Sequence, residues 1–413
     1  MVSRQVANLP VELAQFREQQ APYSFGQQAA WRRIRLIGHN YFLKNAHPAY
    51  EASVKMLLIP VDTIPIISEL DRILDKVEFG AIGVPGFIPP PAFVGLQSRG
   101  VMPISVDMRR PENLGYTPSP DITHEGLGHL AMMADPEYRR KIIQPFGRLG
   151  LIAGSTDLDQ ENYAAIENHC ALKEDKDSTP DQLESAFEEV VRTEELLNRN
   201  PTAAKFVSRL YWQTVEYGLI KHEGRPKIYG AGIISSITES RRALAPDTKR
   251  IPLTVDVTGE SYDITEPQKF YTVAESWEHV HNTIIELEAR LRKEFKERLN
   301  DDPAQAYKAV RRPAGREKRR VLTAQEMELD AIYAGVRLAR EEPRTTASNH
   351  LAELWGYKRR RFPKDWIAAM DILEELHRRE ALPRVQEEIR TFLRTEATEK
   401  ENKDTLETII TDS

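Results

Sequence analysis

The sequence of 413 residues contains a single cysteine, Cys170, so no disulfide can form within the chain. It also lacks an apolar run of about 18 residues, the minimum for a typical membrane-spanning helix. The N-terminal segment lacks the apolar core of a secretory signal peptide. Together these absences predict a protein of the cytoplasm, a reducing compartment.

An excess of basic charge is absent as well, because 57 Lys and Arg residues face 63 Asp and Glu residues, for a net charge of −6. A nucleic-acid-binding protein normally presents a basic surface, so we expect no nucleic acid partner. We also expect no membrane partner. With 40% hydrophobic and 29% charged residues, the composition is that of an ordinary globular protein, long enough for a large core.

Hydrophobic residues at helical spacing recur along residues 1–85. Residues 86–120 are rich in proline and glycine, which predicts two long loops, and long loops in mid-chain often carry function. The helical pattern then returns. Ser119 is the predicted N-cap and Pro120 the predicted first helical residue.

The most distinctive local motif is His124-Glu125-Gly126-Leu127-Gly128-His129. It resembles the HExxH motif of zinc proteases but is one residue longer. On an α-helix, a separation of five residues means about 140° of rotation and about 7.5 Å of rise. The pair alone therefore leaves open a metal site or two structurally unconnected histidines.

Three separated segments belong together: PSPDITHEGLGHLAMMADPEY, YWQTVEYGL and KIYGAGIISS. In order and spacing they resemble the pterin-dependent aromatic amino acid hydroxylases, the family of phenylalanine, tyrosine and tryptophan hydroxylase, and particularly its bacterial branch. The resemblance covers about residues 10–295. Agreement of three segments makes it specific, whereas each alone is a weak signal.

The resemblance implies an Fe(II) site with His124, His129 and Glu216 as ligands. Two histidines and one carboxylate on one face of an octahedral ion leave three positions open for oxygen, water or substrate. It also implies reduced pterin, as tetrahydropterin, and O2 as cosubstrates.

The resemblance further implies a binding site for an amino acid. Arg109 binds the carboxylate, because a guanidinium group makes two parallel charge-assisted bonds. Arg110 is the alternative if the loop is shifted by one residue. Thr117 and Ser235 provide hydroxyl groups around the same head group of the substrate. Pro120 and Gly232 form part of the pocket wall, and Trp212 forms the aromatic wall of the side-chain pocket.

For the pterin, the resemblance implies an aromatic stack on Phe93, with Gly86 and Ile88 in the same loop. Glu125 corresponds to the catalytic acidic residue that lies between pterin and iron. Stacking of this kind contributes about 1 kcal/mol beyond burial.

Two features depart from the animal enzymes of the family. Pro89–Pro91 replaces a more polar stretch, and Pro103 stands where those enzymes often have a histidine. Because proline offers no N–H and no side-chain donor, we expect fewer polar contacts to the pterin.

The resemblance implies a mainly α fold with a few short strands, the helical basket of the hydroxylases. Residues 1–85 form its N-terminal helical part and residues 86–299 its iron- and pterin-binding core. β-Branched alternation in residues 249–267 predicts the strands. Residues 300–413 form a helical extension with a polar tail, for which no role is predicted.

The expected activity is hydroxylation of an aromatic amino acid, with L-phenylalanine to L-tyrosine as the first choice. Tryptophan or a pathway-specific aromatic amino acid is the alternative substrate. Two alternatives of other classes remain: a zinc hydrolase with Glu125 as base, and an inactive scaffold that acts through residues 300–413. Homo-oligomerisation is left open.

Overall fold

Helices make up most of the chain that the computed structural model describes, which is residues 2–21, 23, 25–60, 63–109, 119–174, 178–262, 268–296, 298–300 and 302. The α-helices are Arg4–Ala7, Val11–Ala14, Phe25–Asn45, Ala49–Leu57, Ile67–Leu74, Pro90–Ser98, Gln144–Ala153, Asp157–Glu174, Pro180–Arg199, Ala203–Tyr211, Ala231–Ile234, Ile237–Leu244 and Trp277–Glu294. The π-helical turns are His124–Gly128, Tyr138–Ile143 and Trp212–Glu216, and the 3₁₀ turns are Asp75–Val77, His129–Met132 and Val255–Gly259.

The chain divides into two units, residues 1–23 with 30–319, and residues 24–29 with 320–413. Of the second unit, the structure describes only the start of the helix Phe25–Asn45. All of the predicted site residues belong to the first unit. None of the helices in the described segments combines the length and apolarity that a membrane crossing needs.

The strands form two small sheets. In the first, Gly80–Val84 pairs in parallel with Val101–Ser105. The second has the order Arg225–Ile228, Leu219–His222, Tyr271–Ala274, Arg250–Pro252. Its first pair is an antiparallel hairpin and its other pairs are parallel. The mainly α fold with few short strands is therefore confirmed.

The prediction of two long loops in residues 86–120 is wrong for its first half. Residues 90–98 form a helix and residues 101–105 a strand. The reason is that Pro90 and Pro91 occupy the first helical positions, where proline is tolerated because no N–H is needed there. The second half, residues 110–118, lies outside the described residues.

The predicted helix start at Ser119 and Pro120 is also wrong, because helical structure begins at Ile122. Asp121 provides the cap, and its Oδ1 accepts a hydrogen bond from the backbone N–H of His124 at 3.0 Å. Among the described residues 249–262, the strand prediction holds only for Arg250–Pro252, and residues 255–259 form a 3₁₀ turn. Residues 263–267 lie outside the described residues.

A large hydrophobic core lies beneath the motif that carries the histidines. Leu127, Leu130 and Val215, next to the predicted ligands, are at most 1% exposed and belong to this core. A second, smaller cluster contains Ile88 and Leu96, with Phe93 packed against it. The predicted iron-binding segments are thus held by packing on a rigid interior.

One half-buried histidine outside the predicted site makes folding sensitive to pH. Burial, partly opposed by the Asp135 carboxylate, lowers the pKa of His47 to about 4. The ring packs 5.0 Å from that of Trp277, and its Nδ1 accepts from the backbone N–H of Ala49 at 3.3 Å. This histidine is therefore neutral in the folded chain near pH 5 but protonated in the unfolded chain.

We expect the His47→Asn variant to lose less stability on acidification than the wild type, because asparagine keeps an acceptor oxygen and cannot be protonated. Because the pKa of His47 is lower in the folded chain than in the unfolded chain, the folded state keeps its full stability above pH 6.5 and loses stability as the pH falls towards 4. Urea unfolding at pH 7 and pH 4.5 should show a difference of about 1–2 kcal/mol between the two proteins. His279→Asn is the control, because its Nδ1 also accepts a backbone N–H but lies near the surface. Equal pH dependence in all three proteins would contradict the assignment.

Candidate active site

The two histidines of the motif lie on a π-helical turn, which explains their spacing. Residues 124–128 form this turn, and the backbone N–H of His129 donates to the carbonyl of His124, five residues back. Such a turn brings side chains five residues apart onto one side of the helix. The rotation of about 140° that an α-helix would impose does not apply.

The predicted carboxylate ligand lies on a second π turn. Residues 212–216 form it, and the N–H of Tyr217 donates to the carbonyl of Trp212 at 2.9 Å. Thr272 Oγ1 donates to the carbonyl of Gln213 and fastens this turn to the larger sheet. π turns are rare and occur frequently at functional sites, and here each carries predicted ligands.

The three predicted ligands converge on one point. Glu216 Oε1 lies 3.0 Å from His129 Nε2, and its Oε2 lies 3.3 Å from His124 Nε2. One ligand atom from each of the three lies within 4.8 Å of the others, and they form the one such group found among the described residues. Bonds of about 2.1 Å to one ion place neighbouring ligand atoms about 3.0 Å apart, close to the two distances in the structure.

The polar atoms of this cluster fit a metal ion. His129 is 1% exposed, and its Nε2 has no hydrogen-bond partner among the described residues, because the contact with Glu216 lacks hydrogen-bond geometry. A buried ring nitrogen without a partner is costly, and a cation at this point would satisfy it.

The other ring nitrogen of His124 is already used. Ser235 donates its hydroxyl hydrogen to the carbonyl of Gly232 at 3.2 Å, so its Oγ accepts from His124 Nδ1 at 3.0 Å. This contact fixes the orientation of the ring and leaves the Nε2 lone pair for a metal, as in many histidine–metal sites.

The charges of the cluster suit a divalent cation. Burial lowers the pKa of His124 to about 4, so this ligand is neutral. Burial alone would raise the pKa of Glu216, but His129 and His124 outweigh it and hold that pKa below its usual range. Burial lowers and the carboxylates of Glu216 and Glu125 raise the pKa of His129, with a net rise to about 9. A metal must displace this proton to bind.

Glu125 differs from Glu216, although both are buried carboxylates. Burial raises the pKa of Glu125 to about 8, against the opposing effect of His129. Its Oε2 has no hydrogen-bond partner within the described part of the chain and lies 3.7 Å from His129 Nε2. At neutral pH, Glu125 is therefore mostly a neutral acid that can donate a hydrogen bond.

Arg109 is 5% exposed and is held by Asp121. Its Nε and Nη2 donate to the two carboxylate oxygens of Asp121 at 2.8 and 2.9 Å, and its Nη1 donates to the carbonyl of Ser235 at 3.2 Å. The guanidinium group thus lies beside the residue that orients His124. The predicted substrate residue Thr117 and the alternative Arg110 lie outside the described residues.

Trp212 is enclosed by aromatic rings. It stacks on Tyr262 with centroids 4.3 Å apart and an interplanar angle of 10°, and the ring of Tyr217 lies 4.6 Å away. Its Nε1 donates to Gln268 Oε1 at 2.8 Å. A Cβ at Gly232 would lie 2.7 Å from the Tyr217 ring, so only glycine fits there. Pro120, the second wall position, is half-buried at the start of the motif.

Phe93 lies beside the predicted metal ligands. Its ring is 6.0 Å from that of His129 and 6.1 Å from that of Tyr211. The backbone N–H of Gly86 donates to Asp107 Oδ2 at 3.1 Å, which fixes the start of the loop. The side chain of Ile88 packs in the smaller hydrophobic cluster.

Several residues that shape this site were missed by the sequence analysis. Asp121 directly follows Pro120 in the sequence motif, so the sequence alone could have identified it as a site residue. Tyr211 borders both Phe93 and His129, and Gln97 Nε2 donates to its hydroxyl at 2.8 Å. Tyr262 and Gln268 lie about 50 residues from Trp212 along the chain, and only the fold brings them together.

The sequence matches a family model described as "Biopterin-dependent aromatic amino acid hydroxylase" over residues 23–170 and 197–316, more than half of the chain. Phenylalanine-4-hydroxylase of Vibrio cholerae is 26% identical over 215 residues, 52% of this chain and 58% of the relative. That of Mesorhizobium japonicum is 27% identical over 260 residues, 62% and 78% of the two chains. Tryptophan 5-hydroxylase of Xenopus laevis is 26% identical over 57% of this chain and 39% of the relative.

Solved structures with a similar fold include phenylalanine hydroxylase of Chromobacterium violaceum with bound oxidized Fe(III). This structure has a TM-score of 0.52 and 22% sequence identity, and the alignment covers 70% of this chain and 92% of that one. A second structure of the same protein holds iron(III) and the oxidized cofactor 7,8-dihydrobiopterin. The structural likeness confirms the predicted fold, and with the match of the family model it establishes that the chain belongs to the biopterin-dependent aromatic amino acid hydroxylases.

Proposed function

We propose that this chain is an Fe(II)- and tetrahydropterin-dependent monooxygenase that hydroxylates the ring of an aromatic amino acid with O2. The observation that carries the proposal is the convergence of His124, His129 and Glu216 on one point. A neutral imidazole, a second imidazole whose proton a metal can displace, and one carboxylate suit Fe(II) and leave one face of the ion open. Iron and reduced pterin supply the activation of O2, and the chain binds and orients the reactants.

L-Phenylalanine is the proposed substrate. Several relatives at 26–27% identity are phenylalanine-4-hydroxylases, although the tryptophan 5-hydroxylase of Xenopus laevis is similarly distant. Because the chain covers only 58% of the length of the Vibrio cholerae enzyme, the substrate is an inference. We assign Trp212 to the aromatic wall of the side-chain pocket, and the rings of Tyr217 and Tyr262 pack against it and fix its orientation.

In this proposal Arg109 binds the substrate carboxylate. Asp121 holds one edge of the guanidinium group, so the group is oriented before substrate arrives. A preoriented guanidinium group loses little freedom on binding a carboxylate. Ser235, which accepts from His124, lies next to the same group. The head group of the substrate would therefore sit close to the metal.

The pterin would stack on Phe93, whose ring lies 6.0 Å from that of His129. Glu125 faces the same region and carries a proton at neutral pH because burial raises its pKa to about 8. A neutral acid can donate a hydrogen bond to an oxygen or nitrogen of the pterin. The match of the family model disfavours the zinc hydrolase alternative.

The inactive-scaffold alternative is disfavoured by the presence of all three proposed iron ligands. The division at residue 299 stays a prediction, residues 300–413 have no assigned role, and homo-oligomerisation stays open.

Replacing His124 with alanine should abolish iron retention, because only two of the three proposed ligands remain. Iron measured by atomic emission after anaerobic loading should fall to background, with a helical circular dichroism spectrum like that of the wild type. The surface variant His279→Ala should keep its iron. Full iron occupancy in His124→Ala would rule out the proposed ligand set.

Replacing Arg109 with lysine should raise the KM for phenylalanine about thirtyfold, the effect of losing a charged hydrogen bond of about 2 kcal/mol. Lysine keeps the charge but offers a single point of contact. Steady-state kinetics with varied phenylalanine measure this, and the iron content should not change. Arg250→Lys is the matched control, a part-buried arginine whose Nη1 donates to the carbonyls of Ala243 and Ala245. Equal KM values in both variants would exclude Arg109 from substrate binding.

Replacing Phe93 with leucine should raise the Kd for pterin about fivefold, which corresponds to loss of about 1 kcal/mol of aromatic stacking with burial largely kept. Titration calorimetry with 7,8-dihydrobiopterin measures the change, while the KM for phenylalanine should move by less than about twofold. An unchanged pterin Kd would mean that the pterin stacks elsewhere, and the iron site would survive that result.

A further inference from the structure

Three aromatic side chains, those of Tyr138, Tyr229 and Trp277, pack together in the core. The ring of Trp277 lies 5.3 Å from that of Tyr138 and 5.1 Å from that of Tyr229, measured between centroids. Both tyrosines are 1% exposed and Trp277 is 5% exposed. Rings packed in this way are common in protein cores. This cluster differs from an ordinary core in its position and in the surroundings of its polar atoms.

Both tyrosines of the cluster reach the segment that carries Glu216. A Cβ at Gly218 would collide with the hydroxyl of Tyr229, so this phenol lies against the backbone two residues after Glu216. Burial raises the pKa of Tyr138, and the Glu216 carboxylate raises it further, so this phenol lies within electrostatic reach of the proposed iron ligand. Each tyrosine therefore contacts Trp277 with its ring and approaches the Glu216 segment with its hydroxyl group.

The hydroxyl group of Tyr229 is costly for the fold. It is buried, and it has no hydrogen-bond partner within the described part of the chain. A phenylalanine would fill the same space without an unpaired polar atom. A phenol is easier to oxidise than a phenyl ring, however, so tyrosine is the better bridge for an electron. With no partner to accept its proton, Tyr229 is a poor end point for an oxidation.

Trp277 is a better end point, because its indole N–H has a proton acceptor. Its Nε1 donates to Oδ2 of Asp135 at 2.8 Å, and Asp135 is only half-buried. The other two tryptophans of the described segments donate to neutral oxygens, Trp31 to a backbone carbonyl and Trp212 to a side-chain amide. The N–H of an oxidised indole is strongly acidic, so a carboxylate at this point takes the proton and leaves a neutral radical.

We propose that Trp277 donates single electrons to the iron centre across the rings of Tyr138 and Tyr229, and thereby removes oxidising equivalents that no substrate consumes. The inference rests on the proposed function, in which iron, O2 and reduced pterin form the oxidant. In each step the iron centre gains one electron and Trp277 loses one, and the indole N–H bond breaks as its proton passes to Asp135. A thiol or ascorbate in solution then returns an electron to the indole, and Asp135 returns the proton.

Hydrogen peroxide tests this donor without pterin or amino acid, because it oxidises bound Fe(II) directly. The full-length, iron-loaded protein, freeze-quenched after mixing with peroxide, should show the electron paramagnetic resonance signal of a neutral tryptophan radical. Ring-deuterated tryptophan should narrow the signal, whereas ring-deuterated tyrosine should not. The absence of a radical, or a signal that only deuterated tyrosine narrows, would overturn the proposal.

Tryptophan variants locate the donor. Trp277→Phe should lose most of the radical signal, whereas Trp31→Phe, which removes another buried indole, should keep it. Peroxide should also damage the site of Trp277→Phe several-fold faster, measured as loss of iron and as oxidation of His124 and His129 in peptide mass spectrometry. Iron content before the reaction reports whether each variant is folded. An undiminished tryptophan radical in Trp277→Phe would place the donor elsewhere, for example at Trp212, and would overturn the proposal.

Asp135→Asn tests the proton acceptor while every ring stays in place. Asparagine keeps an oxygen beside the indole but cannot take its proton. The radical of this variant should therefore retain its N–H hydrogen, and electron–nuclear double resonance should show a large proton coupling that disappears in D2O. The wild-type radical should show only a weak exchangeable coupling. A purely structural role of Asp135 predicts no such difference, so identical spectra would overturn the proposal.

Hydroxylation assays separate this inference from the proposed function. If the iron-loaded protein hydroxylates phenylalanine with tetrahydropterin but forms no tryptophan radical with peroxide, this inference fails and the proposed function stands. If the radical forms at Trp277 but no aromatic amino acid is hydroxylated, the electron donor stands and the proposed function fails. If the chain holds no iron, both fail.

Discussion

The site depends on one backbone hydrogen bond, from the N–H of His129 to the carbonyl of His124. By closing a π turn, this bond brings two residues that an α-helix would separate by about 140° onto one side of the chain. A second π turn, closed by the N–H of Tyr217, presents Glu216 to them. Both turns are fixed by close packing. At Gly128, a Cβ would lie 2.5 Å from the carbonyl oxygen of Ala231, so the two segments can approach only because a side chain is missing.

A single carboxylate links the metal ligands to the proposed substrate arginine. Asp121 caps the turn of His124 through its backbone N–H, and it also holds the guanidinium group and the backbone N–H of Arg109. The Arg109 side chain holds the Asp121 pKa below its usual range, although burial alone would raise it. A buried, charged carboxylate with four hydrogen bonds is stable in this setting because each bond replaces one lost from water.

The sequence allowed the helical class, the family and the convergence of His124, His129 and Glu216 to be predicted, because these depend on local motifs with fixed spacing. The π turn at His124 could not be predicted, since the same six residues are compatible with an α-helix. The helix at Pro90 was mistaken for a loop, because proline ends helices in their interior but starts them at their first positions. Tyr262 and Gln268 contact Trp212 from segments that are distant in the sequence, and no local sequence pattern predicts such contacts.

The shared role of Asp121 limits how this protein can evolve. A substitution of Asp121 would disturb both the orientation of Arg109 and the cap of the turn that carries His124, so it would affect both ends of the proposed site. Trp212 has no such connection to Asp121 in the hydrogen bonds of the described residues, because its polar atom bonds to Gln268. Under the proposed function, ring specificity can therefore change on the tryptophan side while the carboxylate side stays constant, which favours divergence among aromatic amino acids over a change to a different class of substrate.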